Sequence, residues 1–103
     1  IAEMDFGCWE GIAWAAIPRP ELDRWSAEFA TLRFGGAESV QQMMDRVRAA
    51  WNDCLGAAGS HVWLTHAGVI RCATLLSRGV HTVTDARQWP NEPLAFGSLR
   101  RVL

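Results

Sequence analysis

Residues 61–79 read "HVWLTHAGVIRCATLLSRG", and their periodicity changes partway along. His61 to Thr65 is a short run rich in β-formers, the pattern of a buried strand. From Gly68 the apolar positions Val69, Ile70, Ala73 and Leu76 recur at helical spacing, and Gly79 closes the run. A strand passing straight into a helix is the unit of α/β layer folds, so the stretch predicts that class. It also puts His66 at the strand-to-helix turn.

The flanking sequence extends the same pattern. Ile1 to Phe6 is expected to end a strand, after which "GCWEG" turns into the apolar "IAWAAI". In "PRPELDRW", Pro20 suits a first helical position, and Glu21 and Asp23 favour the positive end of a helix reaching about Leu32. "FGGAES" is a loop before the clearest helix. Ser39 caps it, and Gln42 completes a capping box. Val40, Met43, Val47 and Trp51, with Met44 and Leu55 beside them, form one apolar stripe that Gly56 and Gly59 end. Val80 to Val83 is expected to be extended, and after "WPNEP" the segment "LAFGSLRRV" is expected to form a final strand.

Composition narrows the class. With 103 residues, half of them apolar and a fifth charged, the chain can fold as one domain around a core. A net charge of −1 gives no general attraction to nucleic acid or an anionic membrane. No apolar run approaches the ~20 residues of a membrane span, and no signal peptide is visible. Cys8, Cys54 and Cys72 form no CxxC pair and do not combine with His61, His66 or His81 at zinc spacing. Structural disulfides and a structural metal are therefore not expected, which fits a reducing cytoplasm. The six tryptophans are expected to fill core gaps or line a cleft.

Two positions could carry chemistry. Ligands in open α/β sheets gather beyond the carboxyl ends of strands, where the next helix presents free N–H groups and a positive dipole end. His66 stands there, and the small Ala67 and Gly68 let an anion approach the backbone. The plain alternative is a histidine that only satisfies turn backbone. Glu3 could be a general acid if burial raises its pKa, or an ordinary surface acid, and Asp5 and Glu10 compete for the role. The Arg46/Arg48 and Arg100/Arg101 pairs read as solvated faces, and the cysteines as small hydrophobes. "GGAES" lacks the ending of a phosphate-binding P-loop, and Ser39 lacks a nucleophile elbow.

Three stretches together resemble the histidine phosphatase (phosphoglycerate mutase-like) superfamily. They are "AEMDFGCWEG", then "GGAES" with Arg46 seven residues beyond Ser39, then "LTHAGVIRCATLL", in the family's order. The resemblance implies the C-terminal part of a three-layer α/β/α fold with a mainly parallel sheet. It implies Glu3 as proton donor, His66 as the second catalytic histidine on the phosphoryl group, and Ala67 and Gly68 as further backbone donors to that group, with no metal or organic cofactor needed. Trp9-Glu10 is the phosphatase-like form, which favours hydrolysis over mutase chemistry. "EMDFGCWEG" and "WPNEPLAFGSLRRV" are most similar to bacterial α-ribazole phosphatases, implying α-ribazole 5'-phosphate of cobalamin biosynthesis as substrate.

One family feature has no counterpart. The nucleophile of these enzymes is a histidine in an Arg-His-Gly motif, and this sequence contains no Arg-His dipeptide. Residues 1–103 are therefore expected to be a partial domain whose N-terminal third is absent, and to show little catalysis alone. The expected partner is a small phosphorylated metabolite, with self-association open through an exposed sheet edge. The alternative function is a non-catalytic remnant binding a phosphorylated ligand or a protein partner. A mutase-type phosphotransferase ranks third.

Overall fold

Ser39 starts the longest element. Its hydroxyl accepts from the Gln42 amide at 3.2 Å, and the Gln42 side-chain oxygen accepts from the Ser39 amide at 2.9 Å. This reciprocal pair satisfies donors that a helix start otherwise leaves open. The structure, a computed structural model, describes residues 1–102. Helix α2 spans Val40–Gly56 and buries Val40, Met43, Met44, Val47 and Trp51, the stripe read from the spacing. Leu55 departs from that stripe at 57% exposure, since the last turn of α2 buries no residue.

Helix α1, Arg19–Ala27, has Pro20 in its first turn and Glu21 beside it. It ends sooner than its sequence predicts, because Glu28 leaves helical geometry at φ −122° and tight turns carry the chain to Leu32. Helix α3, Ala67–Ser77, begins after His66, whose backbone is extended, and packs against α2. It buries Val69, Cys72, Ala73, Thr74, Leu75 and Leu76. Gly79 follows with φ 78°, the left-handed conformation that closes many helices. Short 3-10 turns occupy Gly7–Trp9, Trp14–Ala16 and Ala86–Gln88.

The aromatic residues form a second packing centre under α1. Trp25 stacks on Phe34 at 4.4 Å and on Phe29 at 5.6 Å between ring centroids. Trp14 stacks on Trp25 from one side, with Phe6 edge-on to it at 5.5 Å. Such offset and edge contacts add to the area these rings bury. Core-filling is thus one role of the tryptophans, although Trp14 remains 55% exposed.

The expected α/β fold with a parallel sheet is not what the chain adopts. The elements are helical, and no strand occurs among the described residues. The physical reason lies in where the backbone donors go. A ladder requires a second extended backbone about 4.8 Å away. In residues 4–7 the amides instead meet side chains: Met4 meets Glu3, Asp5 meets Glu38, Phe6 meets Glu10 and Gly7 meets Asp5. The Val83 amide is taken by the Gln41 side chain, whose nitrogen donates to the His81 carbonyl.

Residues 61–65 make no backbone–backbone hydrogen bond among the described residues, and their tie to the chain start is Thr65 Oγ1 donating to the Ile1 carbonyl at 2.6 Å. The reading of His61 to Thr65 as a buried strand is corrected as well: Trp63 is half-buried, but Val62 and Leu64 are exposed at 81% and 96%. Val102 is half-buried, yet Phe96 and Leu99 of the expected last strand are open to solvent. The sheet edge expected to support self-association has no counterpart among the described residues. The radius of gyration is 14.2 Å, above the ~13 Å of a compact domain of this length. Among the described residues no helix is long and apolar enough to cross a membrane.

Candidate active site

Three separate stretches meet at the start of α3. The first is the chain start with the turn at Gly7–Trp9, held to the "FGGAES" loop by the Cys8 amide donating to the Gly35 carbonyl at 3.0 Å. Both glycines at that crossing have positive φ, 53° at Gly7 and 85° at Gly35. A Cβ on Gly7 would overlap the Gly35 carbonyl, and one on Gly35 would overlap that of Phe6. Backbones this close require glycine on both sides. Trp9 and Phe34, with ring centroids 6.1 Å apart, continue the contact.

The second stretch reaches the same segment from below. Arg46, on α2, donates to the carbonyls of Ala2 at 2.8 Å and Glu3 at 2.9 Å. Its guanidinium also pairs with Glu38 at 2.7 Å, and that ion pair is largely shielded from solvent. The reading of Arg46 as part of a solvated face is thus corrected: it binds backbone across the fold. A lone arginine on a helix gives no sequence signal for this, because its acceptors lie 43 and 44 residues away.

The third stretch is α3 itself. Glu3 Oε2 accepts from the Gly68 amide at 3.0 Å, and Glu3 Oε1 accepts from the Met4 amide at 3.0 Å. Gly68 lies in the first turn of α3, where amides have no helical acceptor. A Cβ at position 68 would overlap Glu3 Oε1, so the carboxylate approaches this closely only because residue 68 is glycine. Each carboxylate oxygen accepts one N–H and keeps a further lone pair for a proton or another donor.

His66 occupies the N-cap position. Its side chain makes no capping bond and is exposed, while its carbonyl accepts from the Ile70 amide at 3.1 Å. The imidazole is therefore not consumed by turn backbone. Ala67 and Gly68 are half-buried beside it. Asp5 and Glu10, the other carboxylates considered, are occupied within the first turn: Asp5 accepts from the Gly7 amide at 2.8 Å and Glu10 from the Phe6 amide at 2.7 Å.

Charge beneath the site is set by burial. Cys72, on α3, is fully buried, and its thiol is pushed up to about 12 by desolvation and then by the nearby Glu3 charge. Burial alone would push Glu38 up too. The Arg46 hydrogen bond, the Asp5 amide and the Arg46 charge outweigh it and hold the carboxyl below its ordinary value. Among the described residues no three His, Cys, Asp or Glu side chains converge as metal ligands would. Of the thiols read as small hydrophobes, Cys8 departs from that reading by being exposed.

At the start of α3 a carboxylate is thus bonded to a first-turn amide, next to an N-cap histidine whose side chain makes no capping bond. The model of the histidine phosphatase superfamily (branch 1) matches residues 1–98, and the chain belongs to that superfamily. The membership supports a phosphatase or phosphotransferase type of function. Comparison with curated proteins and with solved structures found no match.

Proposed function

We propose that the chain is part of a phosphomonoesterase acting on a small phosphorylated metabolite. The observation that carries this reading is the Glu3–Gly68 contact beside His66, inside a chain of this superfamily. In the proposed reaction a histidine nucleophile from an Arg-His-Gly segment, which residues 1–103 do not contain, attacks phosphorus. The P–N bond forms as the P–O bond to the leaving group breaks, and Glu3 gives its proton to the departing oxygen. The Glu3 carboxylate then takes a proton from water as that water attacks phosphorus. The P–N bond breaks and phosphate leaves. His66 and the Ala67 amide stabilise the charge on the equatorial oxygens throughout, while the Gly68 amide, expected from the sequence as a further donor to that group, is given to Glu3 Oε2. The α-ribazole 5'-phosphate of cobalamin assembly is the specific substrate proposed, on the likeness of the first and last segments.

Hydrolysis of an aryl phosphate tests the scheme in a form that also carries an Arg-His-Gly segment. Glu3→Gln is expected to lower turnover by about a hundredfold or more, as is loss of one charge-stabilising group in His66→Ala. Unchanged turnover in Glu3→Gln would refute its role as acid. A second reading, binding without turnover, is favoured by the solvent-facing Val62 and Leu64, an apolar pair a partner could cover. It predicts no hydrolysis even with the added segment.

A further inference from the structure

Residues 1–6 carry Glu3 with no sheet to hold its backbone. The backbone groups on either side of Met4 are held instead by one ion pair. Arg46 Nη1 donates to Ala2 O and Nη2 to Glu3 O, while Nε and Nη2 grip the two Glu38 oxygens at 2.7 and 3.1 Å. Glu38 Oε1 also accepts from the Asp5 amide at 3.0 Å. Backbone groups of residues 2, 3 and 5 therefore all end on the same pair, and Met4 between them is buried at 3% exposure.

The base of the pair is rigid. Arg46 stands on α2 beside the fully buried Met43, Met44 and Val47, and Glu38 directly precedes the Ser39 cap. The geometry needs a guanidinium in particular. Its planar fork bonds a carboxylate on one edge and two carbonyls on the other, whereas an ammonium is a point donor that cannot span both.

We infer that Glu38 and Arg46 are the positioning pair of the site, setting where the Glu3 carboxylate meets the first turn of α3. Neither residue touches reacting atoms. The inference rests on the reading of Glu3 as the acid, but it concerns Glu3's placement, which can be measured without turnover. The Gly68 amide is the reporter, because its protection depends on Glu3 Oε2 rather than on a helical carbonyl.

The test is amide exchange of the whole chain by NMR, comparing Arg46→Lys, Glu38→Gln and Glu3→Gln. Glu3→Gln, which removes the charge of the acceptor itself, is expected to speed Gly68 exchange. Arg46→Lys and Glu38→Gln are expected to speed it about tenfold, the scale of one lost hydrogen bond to a charged acceptor. The Ala73 and Leu75 amides of the same helix should stay unchanged. Should Arg46→Lys fail to fold, the near-isosteric Glu38→Gln carries the same comparison. An unaltered Gly68 amide in the folded variants, or equal acceleration along all of α3, overturns the inference. Failure of the acid reading is distinct: turnover would then survive Glu3→Gln while the Gly68 response to Arg46→Lys remained.

Discussion

The Glu3 carboxylate and the Gly68 amide, 65 positions apart in sequence, meet at 3.0 Å, and the missing side chain of Gly68 makes the room. Gly68→Ala therefore has opposed effects. Alanine is a better helix former by up to ~1 kcal/mol, and the lost bond to the carboxylate costs about as much. Urea unfolding should register a change below about 1 kcal/mol, while the amide at position 68 exchanges faster by NMR for want of the Glu3 acceptor. Strong destabilisation would mean the carboxylate cannot swing aside.

Ser39, itself buried, anchors α2 through a capping box shared with the exposed Gln42. Ser39→Ala should cost about 1 kcal/mol, which corresponds to a fall in Tm of about 5 °C for a domain of this size. Thermal unfolding followed by circular dichroism checks it. Since α2 carries both the core stripe and Arg46, a restoring Ser39→Asp change is expected to recover most of the loss.

Acid should weaken the fold partly through Glu38. Its carboxyl is held below the ordinary 4.5 in the folded chain, so the unfolded chain takes up that proton first as pH falls. The stabilisation is complete above 4.5 and is lost as the pH drops through the folded value. Glu38→Gln should therefore flatten the dependence of unfolding free energy on pH below about 4.5, measured by urea titration at stepped pH. Some slope should remain, because Arg87 hydrogen bonds draw the exposed Asp85 down to about 2.

The thiols should separate sharply. Cys8 is exposed and Cys72 is buried with its thiol near 12, so an aromatic disulfide reagent at pH 8 should label Cys8 rapidly and Cys72 only on unfolding. At alkaline pH the unfolded chain ionises Cys72 above its ordinary 9.0 while the folded chain keeps the proton. Stability should thus decline from about pH 9 towards 12, and less so in Cys72→Ala. Rapid labelling of Cys72 in the native chain would contradict its burial.

Legibility in the sequence followed the range of the interaction. Ser39 with Gln42, the stripe from Val40 to Trp51, Pro20 near a helix start and the turn after His66 all involve residues within a few positions of one another, and each stands where the sequence reading put it. The strands expected at residues 1–6, 61–65 and 94–102 did not follow, because β-formers such as those of 61–65 favour an extended backbone without specifying a neighbour to pair with. Arg46 was misread for a related reason: a charged residue on a helix looks the same whether its partner is water or a carbonyl 44 residues away.

By itself the sequence determined the helix boundaries at Ser39 and His66, the buried face of α2 and membership of the histidine phosphatase superfamily. Those properties depend on caps, periodicity and motif order, which are local or linear. Only the tertiary structure decided that Glu3 reaches Gly68, that Glu38 and Arg46 hold its backbone, and that the extended segments meet side chains instead of one another. Hydrogen-bond donors must be satisfied by whatever acceptor the packed chain brings within about 3 Å, and for Gly68 with Glu3, Asp5 with Glu38 and Arg46 with Glu3 that choice is made between residues dozens of positions apart.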